Sequence, residues 1–225
     1  MPAAGEPPVT AGPDRPAAGR VARLDAAIER RMQAWRRPWL DHLAYGLSSA
    51  ADHSLLWFFS GALVAWRRGD PRFAWRFAAV MFGESALTNL GVKSIFRRRR
   101  PPGAPVAAPP DGPVVLASPT RPAGPATAPP DGPATHAAGG RLPYGMRRPI
   151  TSSFPSGHAA AAFAAAALLS AGARRPARLG WHLLAGAVAA SRVYVRLHHP
   201  SDVLAGAALG AAYGRLARRF LPPLR

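Results

Sequence analysis

The chain has 225 residues, a formal charge of +18 and no cysteine, which excludes a disulfide framework and thiolate chemistry. Apolar residues make up 48% of it, but 26 Pro and 22 Gly punctuate the chain, so the part able to fold is smaller than the whole. The charge would suit nucleic acid or an anionic lipid surface, yet the arginines cluster between apolar segments, as in loops at a membrane edge, and no nucleic-acid partner is expected.

Residues 1–20 are rich in Pro, Ala and Gly and poor in large apolar side chains, which predicts a disordered tail. Nothing before Val21 resembles the apolar core of a signal peptide. Residues 21–37 read as a basic amphipathic helix (Val21, Leu24, Ile28, Met32, Trp35), suited to a membrane surface or to ordinary solvent exposure. Five apolar segments follow, at 43–66, 73–96, 159–173, 179–195 and 203–216. Between the second and third lies a Pro/Ala/Gly-rich stretch, 101–149, expected to be a flexible loop; Ala-Pro-Pro-Asp-Gly-Pro occurs in it at 108–113 and again at 128–133. Strand signals are nearly absent. The expectation is an all-α protein: a polytopic membrane helix bundle of five to six helices, with one domain over 38–220. Several segments fall short of the ~20 apolar residues a bilayer crossing takes, so hydropathy alone also admits a soluble bundle. Short arginine-rich connections at 67–72 and 174–178, aromatic residues near segment ends and small residues in the third and fifth segments favour the membrane.

The polar residues at the segment ends carry the chemistry. The second segment ends in Lys93, the single lysine of the chain, followed by Arg100-Pro101. The third begins Phe154-Pro155-Ser156-Gly157-His158; the fourth ends Ser191-Arg192, followed by His198 and Asp202. If the last three segments each cross the bilayer, all three clusters meet on one face. Lys93, Arg100 and Arg192 supply positive charge there, Arg as a planar fork and Lys as a point charge for phosphate. Ser156 reads as the cap of a helix whose first N–H groups bind anions, with Gly157 letting backbone approach closely. Two histidines remain for group transfer, one to attack phosphorus and one to protonate the leaving oxygen. Asp202, four residues after His198, can hold that imidazole in the tautomer that keeps a lone pair for attack. No carboxylate cluster suited to Mg²⁺ is visible, so no metal or other cofactor is expected.

Lys93-x6-Arg100-Pro101, Pro155-Ser156-Gly157-His158 and Ser191-Arg192-x5-His198-x3-Asp202 together resemble the three-part signature of the type 2 phosphatidic acid phosphatase superfamily, which includes lipid phosphate phosphatases and vanadium haloperoxidases. The resemblance covers about 40–217 and implies roles. His198 would be the nucleophile, Asp202 its orienter and His158 the general acid. Lys93, Arg100, Ser156, Gly157 and Arg192 would bind phosphate. It further implies a multi-pass protein of the cell membrane, acting without metal on a phosphorylated lipid (phosphatidate or a polyprenyl diphosphate) through a phosphohistidine, with an extracytoplasmic site. Five crossings alone would place that site on the same face as the N-terminus, and a count of arginines, inflated by the catalytic ones, favours the cytoplasm for that face. The competing reading is a non-catalytic basic membrane or nucleic-acid-binding protein that keeps the fold.

Several residues stand outside the signature. Ser85, Asn89 and Lys93 fall on one helix face, which predicts that Asn89 lies beneath the phosphate site and helps place Lys93. Glu84, an acid inside an apolar segment, is either functional or paired with an arginine such as Arg76. For Arg97–Arg99, beside Arg100, a plain cytoplasmic anchor is the lesser of two readings, the other being a part in the site. His199 reads as a packing or headgroup contact and His182 as interfacial on the opposite side. His42, His53 and His136 have no constellation around them.

Overall fold

A computed structural model describes residues 19–96, 98–101 and 152–221. The expected tail, except its last two residues, and the expected loop at 101–149, except Pro101, lie outside the described residues, as do Arg97 and His136. Among the described residues the protein is all-helical. Its helices are α1 (Arg20–Ala34), α2 (Pro38–Ala50), α3 (Leu55–Arg68), α4 (Pro71–Ala86), the single turn α5 (Lys93–Ile95), α6 (Gly157–Leu169), α7 (Arg175–Tyr194) and α8 (Pro200–Ala217). None of them is long and apolar enough to cross a membrane.

Among the described residues seven helices reach thirteen residues or more, α1 and six others, the first apolar segment being not one helix but two. α2 ends at Ala50, a 3₁₀ turn covers Asp52–Ser54, and Ser54 takes a left-handed φ of 60° before α3 starts. The break falls where polar Asp52 turns toward His158 instead of continuing an apolar face. The second segment runs on through 73–96 but changes pitch. α4 passes into a π-helical turn, Leu87–Val92, before α5, a device that often marks functional positions.

Local chemistry sets the turns. α3 stops at Gly69, whose φ of 64° suits glycine in the capping position. Asp70 then caps α4 by accepting from the N–H groups of Arg72 and Phe73 at 3.1 and 3.3 Å, with Pro71 as first residue. The α3–α4 pair closes on buried Trp57, Phe73, Phe77 and Met81, and Gly61 leaves room for the Phe77 ring.

α6 is the centre of the bundle. Ten of its residues are buried, and alanine lines it on every side. α8 lies parallel to it, because Gly206, Gly210 and Gly214 face Ser156, Ala160 and Ala164 in matching order. A Cβ on any of the three would strike α6 backbone, so the two helices approach to backbone contact. Parallel packing puts the starts of α6 and α8 at the same end, where Ser156 N–H donates to the Asp202 carbonyl at 3.0 Å. The ends of α5 and α7 and the start of α3 join them. α1 and α2 pack across this end: Ala44 and Tyr45 meet Tyr194, Val195 and Leu197, and Tyr194 Oη donates to Asp41 at 2.6 Å.

Candidate active site

Two short strips frame the site, the residues after α5 and those before α6. Ser153 N–H donates to the Arg98 carbonyl at 3.0 Å, and Ser153 Oγ to the Arg99 carbonyl at 3.1 Å. Ser153 is fully buried, and its own carbonyl faces His198. That contact decides the chemistry of His198. Nδ1 lies 2.7 Å from the Ser153 carbonyl, which can only accept, so Nδ1 carries the proton and Nε2 keeps the lone pair. Nε2 in turn lies 3.2 Å from Arg100 Nη1, which also donates to the Leu197 carbonyl at 2.7 Å. Burial, with the charges of Arg100 and Arg192, outweighs the pull of Asp202 and pushes the imidazole down to about 3, so His198 is neutral at ordinary pH.

Asp202, expected to hold His198, faces the same ring nitrogen from farther off. Asp202 Oδ2 stands 3.8 Å from Nδ1, beyond hydrogen-bond reach, and the Ser153 carbonyl takes that proton instead. The fully buried Asp202 carboxylate is spent on other donors. It accepts from the His199 N–H at 2.9 Å, closing the cap of α8, and from Arg98 Nη1 at 2.6 Å.

On the facing side, Ser156 caps α6, its Oγ 3.5 Å from the Ala159 N–H. The Ser85–Asn89–Lys93 stripe is a hydrogen-bonded ladder. Lys93 Nζ donates to Asn89 Oδ1 at 2.8 Å, and Asn89 Nδ2 donates to Ser85 Oγ at 3.1 Å. A Cβ on Gly157 would come within 3.2 Å of Asn89 Oδ1 and 3.3 Å of Lys93 Nζ, so glycine is what lets this ladder lie against the first turn of α6. Arg192 is 1% exposed and donates to Ser48 Oγ, while its Nε–H finds no acceptor. A buried guanidinium with a donor to spare, near Arg100 and Lys93, has the chemistry of an anion site.

The sequence reading missed a residue here. Asp52 Oδ1 lies 2.8 Å from His158 Nε2 and 3.8 Å from Arg192 Nη1, bridging the second and third signature clusters. Its visible signal in the sequence is the polar pair Asp52-His53 inside an apolar run. Arg98, for which a plain anchor is the lesser reading, joins Asp202 to Asp25 and donates to Ser201 Oγ at 2.6 Å. Glu84 is buried and accepts from Thr88 Oγ1 at 2.7 Å rather than pairing with Arg76. His199 Nδ1 meets Glu29 at 2.6 Å. His182 lies away from the site, with Nδ1 2.8 Å from the Arg178 carbonyl.

Three cations, two histidines and a helix start thus gather at one end of an all-α bundle. The family description of the PAP2 superfamily matches residues 73–225, and the chain belongs to that superfamily. It is accordingly a phosphoric ester hydrolase. It is 29% identical over 181 residues to decaprenylphosphoryl-5-phosphoribose phosphatase of Mycobacterium tuberculosis, a match covering 80% of each chain. It is 41% identical over 87 residues to lipid A 1-phosphatase of Porphyromonas gingivalis, a match covering 34% of this chain and only 19% of that one. The fold resembles the transmembrane PAP2-type phosphatidylglycerolphosphate phosphatase of Bacillus subtilis (TM-score 0.56, 23% identity, 91% of this chain and 87% of that one). It also resembles LpxE of Aquifex aeolicus (TM-score 0.58, 20% identity, 87% and 95%).

Proposed function

We propose that this is a membrane lipid phosphate phosphatase that works through a phosphohistidine on His198. The observation that carries the reading is the tautomer of His198: Nδ1–H is held on the Ser153 carbonyl, and the Nε2 lone pair lies beside Arg100. Nε2 attacks phosphorus, the bond from phosphorus to the lipid oxygen breaks, and His158 gives that oxygen its proton. Water, deprotonated by His158, then cleaves the phosphorus–nitrogen bond and releases inorganic phosphate. With Nε2 on Asp52, it is His158 Nδ1 that is free to exchange the proton. Lys93, Arg100, Arg192 and the first turn of α6 at Ser156 and Gly157 receive the phosphoryl oxygens, with Asn89 placing Lys93.

The membrane reading is supported by the similarity to a transmembrane phosphatase and by large apolar side chains turned outward, including Phe59, Trp66, Trp75, Leu90 and Leu204. The substrate is a phosphomonoester or diphosphate of a lipid. The mycobacterial relative supports a polyprenyl-linked phosphate over phosphatidate. The test is phosphate release by the purified protein in detergent, from a polyprenyl diphosphate and from phosphatidate, with excess EDTA and with His198→Ala as control. Release that survives EDTA and vanishes in the variant is expected. Release abolished by EDTA would overturn the mechanism, and no release from any phosphorylated lipid would overturn the function.

A further inference from the structure

Helix α1 precedes the stretch 73–225 that matches the family, and none of the three signature clusters draws on it. Its inward stripe is nonetheless bonded to the segment that carries His198. Asp25, Glu29 and Gln33 stand four residues apart and so share one helix face. Asp25, only 4% exposed, accepts from Ser201 N–H at 2.9 Å, Ser201 Oγ at 2.6 Å and Arg98 Nη2 at 2.7 Å. Glu29 Oε1 meets His199 Nδ1 at 2.6 Å, and Gln33 Nε2 donates to the Tyr194 carbonyl at 3.0 Å. The helix therefore grips the chain on both sides of His198. Burial alone would raise the Asp25 carboxyl, but the hydrogen bonds from Ser201 and Arg98 hold it below the usual carboxylate range.

A second stripe, along α1 and its cap residue Trp35, is turned outward. Val21, Leu24, Ile28 and Trp35 are exposed, and their spacing places them on one side. Arg20 and Arg31 flank that stripe, and Arg23 and Arg30 stand exposed beyond them. Trp39 and Leu43 of α2 continue the apolar surface. An apolar stripe bordered by arginines, continuous with the outward apolar surface of the bundle, is complementary to the boundary layer of an anionic bilayer.

We propose that α1 lies in the plane of an anionic bilayer surface with Val21, Leu24, Ile28 and Trp35 in the lipid, and that through Asp25, Glu29 and Gln33 the seated helix clamps the loop carrying His198. Asp25 is then a positioning residue, acting through Ser201, Arg98 and Asp202. The effect of the clamp on turnover rests on the phosphatase reading; the seating of the helix does not.

The chain has no cysteine, so Ile28→Cys and Arg30→Cys each give the full-length protein a single thiol for an environment-sensitive dye. Two residues apart on a helix, they point to opposite sides. In vesicles of phosphatidylcholine and phosphatidylglycerol, a lipid-borne quencher is expected to reach the dye at 28 and not at 30. Quenching at both, or at neither, overturns the seating. For the clamp, Asp25→Asn is expected to speed amide hydrogen exchange over 194–201, and unchanged exchange overturns it whether or not the protein is active. With p-nitrophenyl phosphate as a soluble substrate, the same variant is expected to lose about tenfold in kcat with KM within about twofold. A rise in KM with kcat unchanged would overturn the positioning role. An inactive wild type would instead overturn the phosphatase reading and leave the quenching and exchange results to decide the helix.

Discussion

Two side chains set the chemistry at the residue scale, His198 on the Ser153 carbonyl and His158 on Asp52, and the signature motifs name neither contact. The pattern His198-x3-Asp202 suggested a carboxylate on the imidazole; the structure puts a backbone carbonyl there, a partner with no side-chain signal to read. The consequence for pH has a definite sign. A histidine whose folded value falls from 6.5 to about 3 binds its proton more readily in the unfolded chain. His198 therefore contributes its full stability above about pH 6.5 and loses it as pH falls toward about 3. Thermal unfolding of the wild type against His198→Gln checks this: the wild type should lose midpoint relative to the variant across that window. Asp52 makes a separate prediction. It holds His158 Nε2 and sits beside Arg192, so Asp52→Asn removes the charge that favours protonated His158 and also relieves a competitor for Arg192. Steady-state kinetics should show kcat down about 10- to 100-fold with no rise in KM. An unchanged kcat would mean that the Asp52 contact has no part in proton transfer.

Elements bring these residues together, and here much was legible in the sequence. The apolar segments and the placement of Lys93, Ser156, Arg192 and His198 at their ends require all three clusters to meet at one end, and the helices join them there. Ser85, Asn89 and Lys93 share a face by spacing alone, and they form a ladder. What could not be read was tertiary. The parallel packing of α6 and α8 depends on Gly206, Gly210 and Gly214 meeting particular backbone atoms, and a glycine count says nothing about what faces it. The ties of Asp25 and Arg98 likewise join positions 73 residues apart, with no local pattern to announce them. The glycine contact is the stronger test of the architecture. A Cβ at position 210 would strike the Ala160 carbonyl, and a backbone atom cannot swing aside as a side chain can. Gly210→Ala should cost about 1–3 kcal/mol, as overpacking does. Thermal unfolding in detergent would show it. Because the same contact aligns Ser156 with Asp202, phosphatase activity should fall with it.

Across the whole molecule, arginine divides into two populations with different work. At the site end, Arg98 is held by Asp25 and Asp202, Arg36 by Asp41, and Arg192 lies near Asp52, while Arg20, Arg23, Arg30 and Arg31 of α1 stand exposed. The opposite end carries Arg67 and Arg68 at the end of α3, Arg72 at the start of α4, Arg174, Arg175 and Arg178 before and within α7, and Arg215, Arg218 and Arg219 at the end of α8. The acid among them is Asp70, and it is occupied in capping α4. Short connections rich in uncompensated arginine stay on the cytoplasmic side of a membrane. A chain inserted by this rule is expected to carry its site on the extracytoplasmic side, with α1 there as well, because Asp25 and Glu29 tie α1 to the site end. The absence of cysteine makes the topology directly measurable. A membrane-impermeant maleimide should label Arg23→Cys in intact cells, and Arg175→Cys only after the membrane is opened. Labelling in the reverse order would place the site in the cytoplasm, and the arginines of α1 would then be the ones that set the orientation.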